Sequence, residues 1–113
     1  MEQALAEKQC TACVGGMAAL RPEEIKGLTA DLDKDWKVID NLRLEREFRF
    51  KDFREALAFT NSLGEIAEAE NHHPDISLSW GKVRVTLWTH KAKGLTENDF
   101  ILAAKIDELA IAH

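Results

Sequence analysis

Leu42-Arg43-Leu44-Glu45-Arg46-Glu47-Phe48-Arg49-Phe50-Lys51 is the stretch that decides the fold. Leu42, Leu44, Phe48 and Phe50 fall on one side of an extended chain. Arg43, Glu45, Glu47, Arg49 and Lys51 fall on the other, and only Arg46 interrupts the apolar side. This alternation marks a strand with one face in a core and one in water. Asp40-Asn41 ahead of it is a turn pair, and Trp36, Val38 and Ile39 supply a short partner strand. After it, Asp52-Phe53-Arg54-Glu55 has a cap residue with an acid three places on. The helix it opens is expected to run to about Glu70, with Phe53, Leu57, Thr60, Leu63, Ile66 and Ala67 as its inward stripe and Gly64 at a close packing contact.

Pro74 ends that helix and holds His73 in an extended conformation. Ile76, Leu78 and Trp80 then alternate with serines, Gly81-Lys82 reads as a type II′ turn, and Val83, Val85 and Leu87 alternate with Arg84 and Thr86. Gly94 breaks the chain before a last helix with Leu102, Ile106 and Leu109 inward. Near the start, Arg21-Pro22-Glu23-Glu24 opens a helix on Ile25, Leu28 and Leu32 that is expected to end near Asp33-Lys34. Residues 1–20 read as a loosely ordered lead-in, and residues 21–113 as one domain. The order α-β-β-α-β-β-α predicts an α+β fold: a four-stranded, mostly antiparallel sheet with three helices on one face.

The 113 residues, 45% hydrophobic and 31% charged, are enough for a single core. No apolar run is long enough to cross a bilayer. Met1 to Lys8 lacks the pattern of a secretory signal, so a cytoplasmic setting is expected. A formal charge of −5 argues against direct nucleic-acid binding. Cys10 and Cys13 form one Cys-x-x-Cys, with no second pair to complete a zinc site. They read as incidental thiols, reduced in that setting.

Three of the four histidines fall between positions 72 and 90. Glu68-Ala69-Glu70-Asn71-His72-His73-Pro74-Asp75 sets two imidazoles on a fixed corner at a helix C-terminus. There the helix dipole favours the cationic form of a side chain suited to proton transfer near neutrality. Glu68 lies one turn before His72. His90 follows the strand that starts at Val83 and shares the parity of Arg84, Thr86 and Trp88, which brings it toward the same corner. Asp99 has two readings: the acid that completes a cap at Thr96, or the carboxylate that orients an imidazole. The alternative to a site is a solvated helix end with chance histidines.

Glu68-x-x-x-His72-His73-Pro74, the aromatic Trp80, His90 and Asp99 together resemble the signature of the pterin-4a-carbinolamine dehydratases. Trp36, Phe50-Lys51-Asp52-Phe53, Thr89-His90 and Gly94-Leu95-Thr96-Glu97 agree, and the likeness covers about residues 21–110. Asn71 stands where many members have Asp. The resemblance implies dehydration of a 4a-hydroxytetrahydropterin to the quinonoid dihydropterin, in the cycle that serves aromatic amino acid hydroxylases, with no cofactor and no metal. It assigns His72 and His90 to acid/base catalysis, and His73, Glu68, Asp99, Pro74 and Trp36 to substrate binding or orientation. Which imidazole is the acid is not set by spacing. It also implies a homodimer or homotetramer. Two other readings stand beside it: a regulatory or dimerisation module for a protein partner, and a metal site built from His72, His73, His90 and Glu68.

Overall fold

Two hairpins form and meet through their second strands. β1 (Lys37–Ile39) pairs with β2 (Arg43–Arg49), and β4 (Lys82–Leu87) pairs with both β2 and β3 (Asp75–Ser79). All pairings are antiparallel and the order is β1-β2-β4-β3. With α1 (Pro22–Thr29), α2 (Phe53–Glu70) and α3 (Glu97–Ala112), the chain has the expected order and the expected α+β fold, three helices on one sheet face. Short 3-10 turns stand at Leu5–Glu7 and His90–Ala92. The computed structural model describes residues 4–10 and 18–112; Cys13 and His113 lie outside the described residues. Among these, no helix is long and apolar enough to cross a membrane.

The alternation in β2 works as its sequence predicts. Leu44 and Phe48 pair in register with Leu87 and Val83, and all four are buried beneath Phe59 and Leu63 of α2 and Phe100, Leu102 and Ile106 of α3. Burying a side chain of this size contributes about 1.5–3 kcal/mol. The opposite sheet face is polar: Glu47 meets Lys82 at 3.7 Å and Thr86 Oγ1 donates to Glu45 Oε1 at 3.2 Å. Arg46, the interruption, is taken up by an ion pair. Its guanidinium donates to Asp107 Oδ1 of α3 at 2.6 Å, and Asp33 and Asp35 lie 3.8 Å away.

Several details depart from the expected pattern. Asp40 and Asn41 both have positive φ (53° and 57°), the geometry of a twisted hairpin turn, which leaves Leu42 in the turn and 47% exposed. α1 ends at Thr29 because Asp31 and Leu32 bond back three residues and tighten the chain into turns. In α2 the buried stripe is Ala56, Phe59, Leu63 and Ala67, while Phe53 and Leu57 are exposed. Phe59 sets that phase by packing 4.8 Å from Phe48 and 5.0 Å from Phe50, centroid to centroid. A Cβ at Gly64 would meet nothing within 4 Å, so no packing contact requires that glycine. The second hairpin turns on Trp80-Gly81, one residue earlier than expected. Its glycine serves a close approach: a Cβ there would sit 2.8 Å from the carbonyl oxygen of Phe50.

The lead-in is more engaged than its composition suggests. Leu5 is buried in the core, and Lys105 Nζ of α3 donates to the carbonyl of Ala6 at 2.7 Å. Cys10 donates its amide N–H to Glu70 Oε1 at 2.8 Å and its thiol lies 3.6 Å from the carbonyl oxygen of Asn98. Burial, then the Glu70 carboxylate, push the Cys10 thiol up to about 12.

Candidate active site

The site begins with the way α2 stops. Asn71 adopts left-handed geometry (φ 51°, ψ 40°), which Asn tolerates better than most residues. The His72 amide then reaches back to the Ala67 carbonyl at 3.2 Å, a Schellman closure. This reversal turns His72 inward and leaves His73 outside. His72 is 7% exposed and His73 is exposed. Pro74 carries the chain directly into β3.

His72 is held by Asp99. Its Nε2 lies 2.6 Å from Asp99 Oδ1, and Asp99 is fully buried. The other carboxylate oxygen accepts from Thr89 Oγ1 at 2.8 Å and from the Thr96 amide at 2.9 Å. Both readings of Asp99 therefore hold in one residue. It caps α3 through Thr96, and it fixes an imidazole. With the carboxylate as acceptor, the shared proton sits on Nε2 and His72 Nδ1 is the nitrogen left to accept. His73 Nε2 is paired with Glu68 Oε2 across the last turn of α2.

His90 comes from the far end of β4. Thr89 is pinned by a backbone bridge to Gly94 (2.8 Å from its N–H) and by its hydroxyl on Asp99, so the carboxylate that holds His72 also anchors the residue before His90. Asn71, His72, His73, Pro74, Asp75, Trp88, Thr89, His90 and Lys91 line one open cleft of about 360 Å³. The structure thus brings His72, His73, His90 and Pro74 together, with Asp99 behind them and Glu68 at the rim. Trp36 is not among them. Its indole is 4% exposed, packs edge-on against Phe48, and donates to Asp107 Oδ1 at 2.6 Å. β1, which follows it, is the opposite sheet edge from β3. Its place is the core, for the physical reason that an indole N–H can be buried once it finds an acceptor.

Sequence reasoning did not give Thr89 a role, although its position directly before His90 and seven residues before Thr96 was the available signal. Among the described residues no three His, Cys, Asp or Glu side chains gather as a metal-holding group.

Comparison with known proteins identifies the family. The model of the family described as pterin 4 alpha carbinolamine dehydratase matches residues 18–109. A relative from Alkaliphilus metalliredigens, named as a candidate pterin-4-alpha-carbinolamine dehydratase, is 55% identical over 92% of this chain and 94% of its own. A relative of the same name from Rubrobacter xylanophilus is 52% identical over 93% and 97%. Among solved structures, a transcriptional coactivator/pterin dehydratase from Brucella melitensis superposes with a TM-score of 0.76 at 34% identity, covering 81% of this chain and 98% of that one. A pterin dehydratase-like protein identified as a RuBisCO assembly factor in the alpha-carboxysome superposes at 0.58, with 26% identity over 67% and 89%. With a family model spanning most of its length and relatives at about half identity, this chain belongs to the pterin 4 alpha carbinolamine dehydratase family.

Proposed function

We propose that the chain dehydrates 4a-hydroxytetrahydropterin to the quinonoid dihydropterin and so returns the pterin used by aromatic amino acid hydroxylases. The observation that carries this reading is the buried His72–Asp99 pair opening on a cleft shared with His73 and His90. The C4a hydroxyl leaves as water only when protonated. The positive charge left on the ring is then relieved by losing a ring N–H proton. One general acid and one general base perform both steps, each typically contributing 10²–10⁴-fold. His72, oriented through Nε2, is the proton acceptor, and His90, at the cleft surface, is the donor. His73, steadied by Glu68, and Pro74 border the bound pterin. The two protons exchange with water between turnovers, and no redox change is involved.

The test is a direct assay on enzymatically generated 4a-hydroxytetrahydropterin. Turnover well above the spontaneous dehydration rate is expected, and a rate equal to the spontaneous one would end this reading. The family likeness also favours a homodimer or homotetramer, and the sheet leaves β1 and β3 as edges for such pairing. A second reading, a module that acts on a protein partner, is supported by the coactivator and assembly-factor names of the two structural neighbours. Mutants of His72 and His90 separate the two, because partner binding would survive them.

A further inference from the structure

We propose that Trp88 is a positioning residue for His90, and that Arg43 holds Trp88 in place. The inference rests on the catalytic role proposed above for His90. Three histidines face the cleft, and they are held in different ways. His72 has Asp99 and His73 has Glu68. Among the described residues the ring of His90 makes no hydrogen bond or ion pair; it lies against the indole of Trp88, centroids 4.0 Å apart with the planes at 43°.

The indole is itself fixed from the other side. Trp88 continues the parity of Arg84 and Thr86 onto the open sheet face, one step past the Leu44–Leu87 pair, where β2 presents Arg43. The Arg43 guanidinium carbon stands 4.6 Å from the Trp88 ring centroid, within the range of a cation–π contact. The indole Nε1 is buried without a hydrogen-bond partner among the described residues, so ring packing, not a polar tether, sets its place. Arg43, Trp88 and His90 thus form a stack in which a flat apolar surface limits the imidazole to a narrow range of tilt. Thr89, bonded to Asp99, fixes the backbone that carries it. A proton donor at a cleft mouth needs such restraint, because a misplacement of about 1 Å is enough to cost roughly 100-fold in rate.

The test combines proton NMR of the His90 ring with dehydratase kinetics on Trp88→Ala, Trp88→Phe and Arg43→Gln. In the unmodified protein the carbon-bound ring protons of His90 are displaced from ordinary imidazole values by the indole ring current; those of His73 serve as an internal control. In Trp88→Ala this displacement is lost and kcat falls about 10- to 100-fold, with KM changed less than kcat. Trp88→Phe retains part of both. Arg43→Gln, which keeps the indole and so guards against a misfolded Trp88→Ala, reduces the displacement and kcat in parallel. An undisplaced His90 ring in the unmodified protein overturns the proposal. So does a loss of rate with the His90 signals unmoved, since Trp88 would then act only on the pterin. If the stack is seen but the unmodified protein shows no dehydratase activity, the functional reading fails while the placement of His90 by Trp88 stands.

Discussion

Asp99 Oδ1 stands 2.6 Å from His72 Nε2, and the second oxygen of the same carboxylate holds Thr89 and the first turn of α3. One buried group therefore joins the end of α2, the end of β4 and the start of α3, the three places from which the cleft is built.

Asp99→Asn tests that junction. The amide keeps the shape but places a donor where one of three acceptor contacts was needed. Hydrogen bonds to a charged group are worth about 1.5–3 kcal/mol, so a loss of roughly 2 kcal/mol is expected in urea unfolding. Dehydratase kcat should fall about 100-fold or more. A variant with full activity would remove Asp99 from the mechanism.

His72→Ala and His90→Ala should each remove most turnover while leaving the circular dichroism and the oligomer size unchanged. They should differ in stability. His90 is exposed, so its loss is expected to be close to neutral; His72 is buried, and its loss strands one Asp99 oxygen at about 1–3 kcal/mol. Unchanged turnover in both would sink the catalytic assignment.

Asp107→Ala probes a network away from the cleft. Asp107 accepts from Trp36 and Arg46 and from the Asp33 amide at 3.0 Å, and the Arg46 side chain is only 12% exposed. Removing one partner of a buried ion pair costs about 3–5 kcal/mol. A large drop in the urea midpoint is expected, with kcat per folded molecule unaltered.

The Cys10 thiol is pushed up to about 12 from 9.0, so the folded chain keeps the proton more tightly than the unfolded one. The stabilisation this reflects is fully present below about pH 9 and is lost as pH rises toward 12. At pH 8 iodoacetamide should modify Cys10 at least about 10-fold more slowly in the native chain than in urea, because the thiolate is the reactive form. Equal rates would show that the thiol is not held.

Two glycines should behave oppositely. Gly64→Ala has open space around its Cβ in mid-helix and is expected to gain about 0.5–1 kcal/mol. Gly81→Ala drives a Cβ to 2.8 Å from a backbone oxygen that cannot move freely, and should lower the melting temperature. Reversal of either sign would contradict the packing described.

The strands and helices were legible because the alternation of Leu44, Glu45, Phe48 and Arg49 and the stop at Pro74 are local signals. The phase of α2 was not. Phe53, Leu57 and Phe59 are all apolar, and only the position of Phe48 and Phe50 on the neighbouring sheet selects Phe59. The histidine corner could be read from spacing and family likeness together. The burial of Trp36 could not, because it depends on Asp107, 71 positions away in sequence. Trp88 escaped in part for the same reason: Arg43 reaches it from another strand, although His90, two places on, shares its parity.

The contacts of Cys10 tie the leader to the helices around the site. The family match starts at residue 18, yet Cys10 grips Glu70, two residues before His72, and Asn98, the residue before Asp99. The segment ahead of the family-model match is thus tied to α2 and α3 close to the buried His72–Asp99 pair. A version trimmed to residues 18–109 would lose both hydrogen bonds, one to α2, which leads into His72, and one to α3, which carries Asp99.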